Sequence, residues 1–286
     1  ELYQASALVH DDIIDKADER RGMPTPHRTL ADHHAARSWI GSSTDFGRHS
    51  AILVGDFLFS AATAAADEQA LTLHEDCARA FVRRFADMHA EVALGQYLDI
   101  TAEQIPLDPE RTDALSVSDS LEVALHKSAH YSVVHPALLG AICAAPSFDR
   151  VAGLLDVLET VLTPWGLAFQ LRDDDLGVFG DPAVTGKPAG DDLREGKRTA
   201  LLALTWEASS PTERRALTDV LGVAEASAEQ IATATDIVER NGRAAHEAEI
   251  ARLVADGDAA LEDSSFDEGA RAMLRELCSI LTARRS

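Results

Sequence analysis

Three aspartates, Asp11, Asp12 and Asp15, close an apolar run near the start of the chain, in the stretch SALVHDDIID. On a helix, residues three and four apart share a face, so Asp12 and Asp15, and Asp11 and Asp15, point roughly the same way. Like charges so placed repel by roughly a few tenths of a kcal/mol per exposed pair. The cost rises if they line a partly dry cavity. A bound cation reverses its sign. Carboxylates with no cysteine nearby suit a hard cation, and Mg²⁺ takes one or two carboxylates together with substrate phosphate oxygens. A solvated acidic helix end would account for the same three residues. Arg20 and Arg21 follow at once in RRGMPTPH. Two adjacent guanidiniums could pair with the aspartates, or clamp phosphate oxygens while Mg²⁺ bridges phosphate to carboxylate.

A second cluster stands far along the chain, in FQLRDDDLGVFGD, where Asp173, Asp174 and Asp175 again close an apolar run. Lys187, Asp191, Asp192, Lys197 and Arg198 follow in and after a Gly-rich stretch. One such cluster says little. Two helices each ending in a Mg²⁺-suited cluster and each trailed by basic residues, facing one another across a bundle, describe a site for a diphosphate held by several Mg²⁺ ions. Lys127 falls mid-helix in LHKSAHYS, where it needs an anion or snorkels to water. GQYLD at 95–99 puts Gln96 and Asp99 on one helix face, as a surface pair or as part of the same site.

The elements that must carry these residues are helical almost throughout. Leu2, Ala5, Leu8, Val9 and Ile13 form one apolar stripe, and a polar loop with Gly22, Pro24, Pro26 and several histidines is expected from Asp18 to Arg48. Helices are expected over about 49–67, 71–100, 118–143 (bent near Pro136) and 151–179. A Gly/Pro loop spans 180–192, and shorter helices with breaks near Pro211 and Gly242 run to the end. There is no sustained period-2 alternation, no hairpin signal, no internal repeat and no low-complexity linker. The fold class expected is all-α: one domain over 1–286, a helical bundle around a central cavity. Glu1 opens directly into the helical pattern without a cap, so N-terminal helices are expected to be missing from this chain.

Composition agrees. Aromatics are scarce, and 48 Asp and Glu against 26 Lys and Arg give a net charge of −22. Such a surface repels nucleic acid and anionic membranes. Only Lys16, Lys127, Lys187 and Lys197 are lysines, and two of them fall in one short segment beside the second cluster. Cys77, Cys143 and Cys278 are far apart and lack metal spacing, which reads as reduced thiols in a cytoplasmic protein. No run of about 18 consecutive apolar residues suggests a membrane span.

The motifs together resemble the trans-prenyl diphosphate synthases, the family of farnesyl and geranylgeranyl diphosphate synthases. DDIIDKADERRG matches its first aspartate-rich motif, FQLRDDDLGVFGD its second, and GKPAGDDLREGKRT the segment after it; VGDFL, GQYLD and KSAHY match the motifs between, in order, over about residues 1–200. The resemblance implies that Asp11, Asp12 and Asp15 hold two Mg²⁺ ions and that Asp173 and Asp174 hold a third. It implies that Arg20, Lys127 and Lys187 contact an allylic diphosphate, with Lys197 a weaker assignment. Arg21 and Gln4 would help hold isopentenyl diphosphate, and Ser128 and Gln170 would line the path of an allylic cation. It further implies a homodimer, and a condensation in which the departed diphosphate takes the final proton.

Two departures stand out. The second motif ordinarily ends in Asp, where this chain has Gly177, with Asp175 an extra acid on a different face and Asp181 a possible substitute. A Gly-Lys-Arg segment found upstream in the family is absent. The residues four and five before the first aspartate, Ala7 and Ser6, floor the product pocket in this family. Both are small here, and Tyr3 lies one turn deeper, so growth is expected to stop near C20, with farnesyl or C25 and longer products as alternatives. A terpene cyclase would carry NDxxSxxxE in place of DDDLG. A non-catalytic partner subunit of a heteromeric synthase would tend to lose first-motif aspartates, and all three are present; only Gly177 favours it.

Overall fold

The computed structural model describes residues 1–180, 190–223 and 225–282. These are overwhelmingly helical, as expected. They gather into two compact units, one formed by residues 1–73 and the other by 74–180 together with the described residues from 190 onward.

The first unit holds helix α1 (Leu2–Ile14), a two-residue ribbon β1 (Glu19–Arg20) and β2 (Met23–Pro24), helix α2 (Pro26–Ala36) and helix α3 (Ser43–Ala70). The buried face of α3 is Gly47, Ala51, Gly55, Ala62, Ala66 and Ala70. Small side chains at four- and seven-residue spacing share one face and let neighbouring helices approach closely. A Cβ at Gly47 would overlap the His27 carbonyl of α2, and one at Gly55 would overlap the His10 imidazole of α1. The glycine of VGDFL is thus a packing residue. Ser42 caps α3, its hydroxyl accepting from the Asp45 amide at 3.2 Å.

The loop expected from Asp18 to Arg48 is corrected: it contains α2, the start of α3 and the ribbon. Pro26 reads as a breaker, yet it stands in the first turn of α2, where a missing N–H costs nothing. The inner face of α2 is Ala31 and His34, and the His34 ring packs on Phe46 and Trp39. A histidine used as a core residue hides the apolar period. The ribbon is also new: Arg21 and Gly22 both have positive φ, 55° and 71°, the pattern of a type I′ two-residue turn. Two residues per strand are too few to show as alternation.

The second unit contains α4 (Glu75–Gln104), a 3₁₀ turn (Thr112–Ala114), α5 (Val117–Ala124), a π-helical segment (Leu125–Val134), α6 (His135–Ala144), α7 (Phe148–Phe179), α8 (Asp191–Glu195), α9 (Ala200–Ala208), α10 (Pro211–Thr218), α11 (Ala228–Asn241), α12 (Arg243–Glu262) and α13 (Glu268–Thr282). Its core is built on α7 and α9. Trp165 is fully buried and donates to the Val254 carbonyl of α12 at 3.3 Å, and a side chain at Gly257 would overlap its indole. Trp206 is buried among Leu217, Val220, Ala234 and Val238. The break at Pro211 is the start of α10, closed by a capping box between Ser210 and Glu213; a second box, Ser227 with Gln230, opens α11.

The bend expected near Pro136 takes a different form. Residues 125–134 widen into a π-helix, and the His135 N–H bonds to the His130 carbonyl five residues back. The proline has no N–H to give and its ring crowds the preceding turn, so the wider turn absorbs the conflict. Two helices, Ser43–Ala70 and Phe148–Phe179, are long and apolar enough by composition to cross a membrane, although neither is an unbroken apolar run. The second is a core helix of its unit.

Candidate active site

In the first unit the three aspartates stand at the C-terminal end of α1, with Asp15 as its cap. The carbonyl end of a helix already carries partial negative charge, so carboxylates placed there raise the demand for a cation. Asp12 is 2% exposed, a depth at which an ionised carboxylate needs a partner. Arg20 answers it: Nε donates to Asp12 Oδ1 at 2.6 Å and Nη2 to Asp11 Oδ2 at 3.0 Å. Burial pulls the Arg20 guanidinium down, but the hydrogen bond to Asp12 and the charges of Asp12, Asp11 and Asp15 carry it above its ordinary value. Of the two roles open to the arginine pair, Arg20 takes the ion-pairing one in this structure. Arg21, at the ribbon's turn, is exposed, as is Gln4, seven residues before Asp11 and so on nearly the same face of α1.

Deeper on α1, Ser6 is buried and its hydroxyl donates to the Gly55 carbonyl of α3 at 2.8 Å. Its small size therefore also serves the α1–α3 contact. Ala7 is half-buried. The Tyr3 ring meets Phe59 edge-on with centroids 6.1 Å apart, and burial pushes its hydroxyl up to about 12.

In the second unit, α7 presents Asp173 exposed and Asp174 buried. Gln170, one turn earlier, donates to Asp174 Oδ1 at 2.8 Å. Burial pushes the Asp174 carboxyl well above the usual range. The charges of Asp192 and Asp173 push the same way, while the Gln170 hydrogen bond and Lys197 oppose them. Asp175 lies on another face, as expected, and is clamped there. It accepts from Arg243 at 3.1 and 3.4 Å and sits 3.8 Å from Arg172, which is itself held by Glu247.

Gly177 is explained by its neighbour. A Cβ there would overlap the Asp192 carboxylate of α8. Asp192 in turn lies 3.8 Å from Lys197, which also pairs with Glu195 at 2.7 Å. Asp192 is the site residue that sequence reasoning noted without assigning. Lys187 and Asp181 lie outside the described residues.

The π-segment carries Lys127 and Ser128, both half-buried. Lys127 finds its anion in Asp99 of α4. Gly95 makes this possible, because a Cβ there would overlap the Lys127 backbone. On α4 as well, the Gln96 amide nitrogen is buried with no hydrogen-bond partner among the described residues.

These donors fit a hard divalent cation with phosphate. They are carboxylates without thiol or imidazole in both aspartate motifs, and Asp174, Asp173 and Asp192 crowd together at a cost that a cation would relieve.

The polyprenyl synthetase family model matches residues 1–238. The chain belongs to that family. It is 32% identical over 244 residues to the geranylfarnesyl diphosphate synthase of Aeropyrum pernix, covering 85% of this chain and 66% of that protein. It is 32% identical over 284 residues to a geranylgeranyl diphosphate synthase of Mycobacterium tuberculosis, covering 97% and 71%. Among solved structures, the geranylgeranyl pyrophosphate synthase of Corynebacterium glutamicum, complexed with isoprenyl diphosphate and magnesium, superposes with a TM-score of 0.89 at 39% identity. That match covers 99% of this chain and 77% of that one. The chain spans just under two thirds of the length of the first archaeal relatives it matches.

Proposed function

We infer that this polyprenyl synthetase family member is a prenyltransferase that condenses isopentenyl diphosphate with an allylic diphosphate, head to tail, giving mainly the C20 product, geranylgeranyl diphosphate. The observation that carries the reading is the pair of aspartate motifs, one closing α1 around the buried Asp12 and one on α7 around the buried Asp174, whose carboxyl is pushed up by burial and by neighbouring aspartates. The two units are read as one catalytic domain.

Asp11, Asp12 and Asp15 would hold two Mg²⁺ ions and Asp173 and Asp174 a third. Bound Mg²⁺ supplies the positive charge that lets an allylic diphosphate leave. Arg20, Lys127 and Lys187 add cationic hydrogen-bond donors to that diphosphate, with Lys197 behind Asp192. Arg21 and Gln4, both solvent-facing on this chain, would meet isopentenyl diphosphate. Ser128 and Gln170 turn small dipoles toward the allylic cation, and apolar side chains keep water from quenching it. The double bond of isopentenyl diphosphate attacks the cation. The departed diphosphate then takes the proton, so no side-chain base is needed.

A homodimer is part of the reading. Phe57 on α3 and Tyr97 on α4 are 72% and 64% exposed, apolar surface of the kind a second copy would cover. The three cysteines are free thiols, in keeping with a reducing cytoplasm. The alternative of a non-catalytic partner subunit leaned on Gly177 alone, and a carboxylate from Asp192 in that space removes most of its support.

The test is to incubate the protein with Mg²⁺, isopentenyl diphosphate and C5, C10 and C15 allylic primers in turn, and to size the products by mass spectrometry. A dominant C20 product supports the whole reading. C15, or C25 and longer, keeps the prenyltransferase and discards the chain length. No elongation by a folded protein that binds Mg²⁺ and diphosphate returns the argument to the partner subunit.

A further inference from the structure

Glu91 of α4 gathers three histidines. Its Oε1 accepts from His126 Nδ1 at 2.7 Å and from His130 Nδ1 at 2.5 Å, and its Oε2 accepts from His135 Nε2 at 2.7 Å. The imidazoles stand edge to face, 5.9 Å apart from His126 to His130 and again from His130 to His135. The Glu91, His130 and His135 side chains are 20%, 17% and 5% exposed. One ligand atom from each of these three lies within 4.8 Å of the others.

This convergence is built by the π-segment. On an α-helix, residues five apart are rotated by roughly 140° and would not serve one partner. Here the His135 N–H closes on the His130 carbonyl, the five-residue ring of a π turn, and the two imidazoles meet one carboxylate. None of the four residues has a part in the diphosphate chemistry. Glu91 stands eight residues before Asp99, about 12 Å along α4 from the partner of Lys127.

The donor set is also of a different kind from the aspartate motifs. Two imidazole nitrogens with one carboxylate oxygen suit a borderline transition metal in four-coordinate geometry, with water completing the shell, and are a poor match for Mg²⁺. We propose that Glu91, His130 and His135 form a second metal site on this protein, for a transition-metal dication such as Zn²⁺, with His126 orienting the Glu91 carboxylate.

Without metal, each imidazole keeps its proton on the nitrogen that faces Glu91. Ligation exposes that nitrogen's lone pair and moves the proton to the other ring nitrogen. For His135 that is Nδ1, which is buried with no partner among the described residues, so His135 is the costliest of the three ligands. An ion held there ties α4 to the segment that carries Lys127 and Ser128.

The experiment uses untagged protein stripped with a chelator and kept in excess Mg²⁺. Zn²⁺ is titrated calorimetrically, and Co²⁺ is added in parallel for its visible absorption. The expected result is a single equivalent of Zn²⁺ that Mg²⁺ does not displace, with the intense absorption of four-coordinate Co²⁺. Glu91→Gln and His130→Ala should each weaken binding about tenfold or more, while Asp11→Asn and Asp174→Asn leave it unchanged. Zn²⁺ affinity equal in wild type and in both cluster variants overturns the proposal, as does an octahedral Co²⁺ spectrum or loss of binding only in the aspartate variants. If His130→Ala unfolds by circular dichroism, His130→Asn is read in its place. Prenyltransferase activity is not the readout, so the site stands or falls apart from the proposed function.

Discussion

Asp192 fills the space that a side chain at Gly177 would occupy. The family's third aspartate belongs at position 177 in the resemblance, and in this chain a carboxylate reaches that space from α8. The two positions should therefore be exchangeable. Asp192→Asn should raise the Mg²⁺ concentration needed for half-maximal activity about tenfold. Gly177→Ala should do nearly the same, since its Cβ must displace the Asp192 carboxylate. Gly177→Asp alone should crowd two carboxylates and fare no better than wild type, whereas Gly177→Asp with Asp192→Gly should recover much of the loss. Mg²⁺-dependent melting in the presence of diphosphate gives a second reading. A double variant no better than Asp192→Asn would mean that Asp192 serves packing alone.

The Arg20 pairing with Asp11 and Asp12 sets a prediction about the first motif. Asp12→Asn keeps the shape and removes the charge. Activity should fall about a hundredfold or more, because a carboxylate that would hold the Mg²⁺ facing the reacting diphosphate loses its charge. Stability should fall by about 1 to 3 kcal/mol, below the range for a fully buried pair because the Arg20 side chain is 26% exposed. Urea unfolding and steady-state rates measure the two separately. An Asp12→Asn protein with wild-type rates would remove the first motif from the chemistry.

Tyr3 and Phe59 meet edge-on one turn below Ser6. If this pair stops chain growth, Tyr3→Ala should shift products from C20 to C25 and longer, and Phe59→Ala should do so more weakly. Mass spectrometry of the hydrolysed products decides. An unchanged spectrum in both variants makes the pair an ordinary α1–α3 packing contact.

Much of this was legible in the residues, for reasons that can be named. Asp11, Asp12 and Asp15 show themselves because their partners lie within one helical turn, and the long helices follow from apolar spacing that any 3.6-residue period exposes. What failed to show depends on partners far along the chain. Asp175 read only as an extra acid on a different face, and its clamp, Arg243, stands 68 residues on. Asp192 could not be matched to Gly177 without knowing how α8 returns to α7. Pro26 read as a breaker because its place in the first turn of α2 is set by the ribbon before it. The π-segment had one sequence signal, Pro136, which announces strain without saying how the chain relieves it.

His246 carries a prediction about pH. It is fully buried on α12, and neither ring nitrogen has a hydrogen-bond partner among the described residues. Burial lowers it from its ordinary value to about 4. The unfolded chain takes up a proton near pH 6.5, whereas the folded chain holds the ring neutral until about pH 4. Stability from this group is thus complete above pH 6.5 and lost as the pH falls from there toward 4, by on the order of 3 kcal/mol. His89, also lowered by burial to about 4, acts with the same sign. Urea midpoints measured at intervals from pH 7.5 to pH 4 should fall steadily. His246→Leu should raise the midpoint at pH 7, since it removes a polar ring left unpaired, and should flatten the profile. The slope that remains would belong to His89 and to the carboxylates. A His246→Leu profile parallel to wild type would mean that the ring titrates alike in the folded and the unfolded chain, and would overturn the prediction.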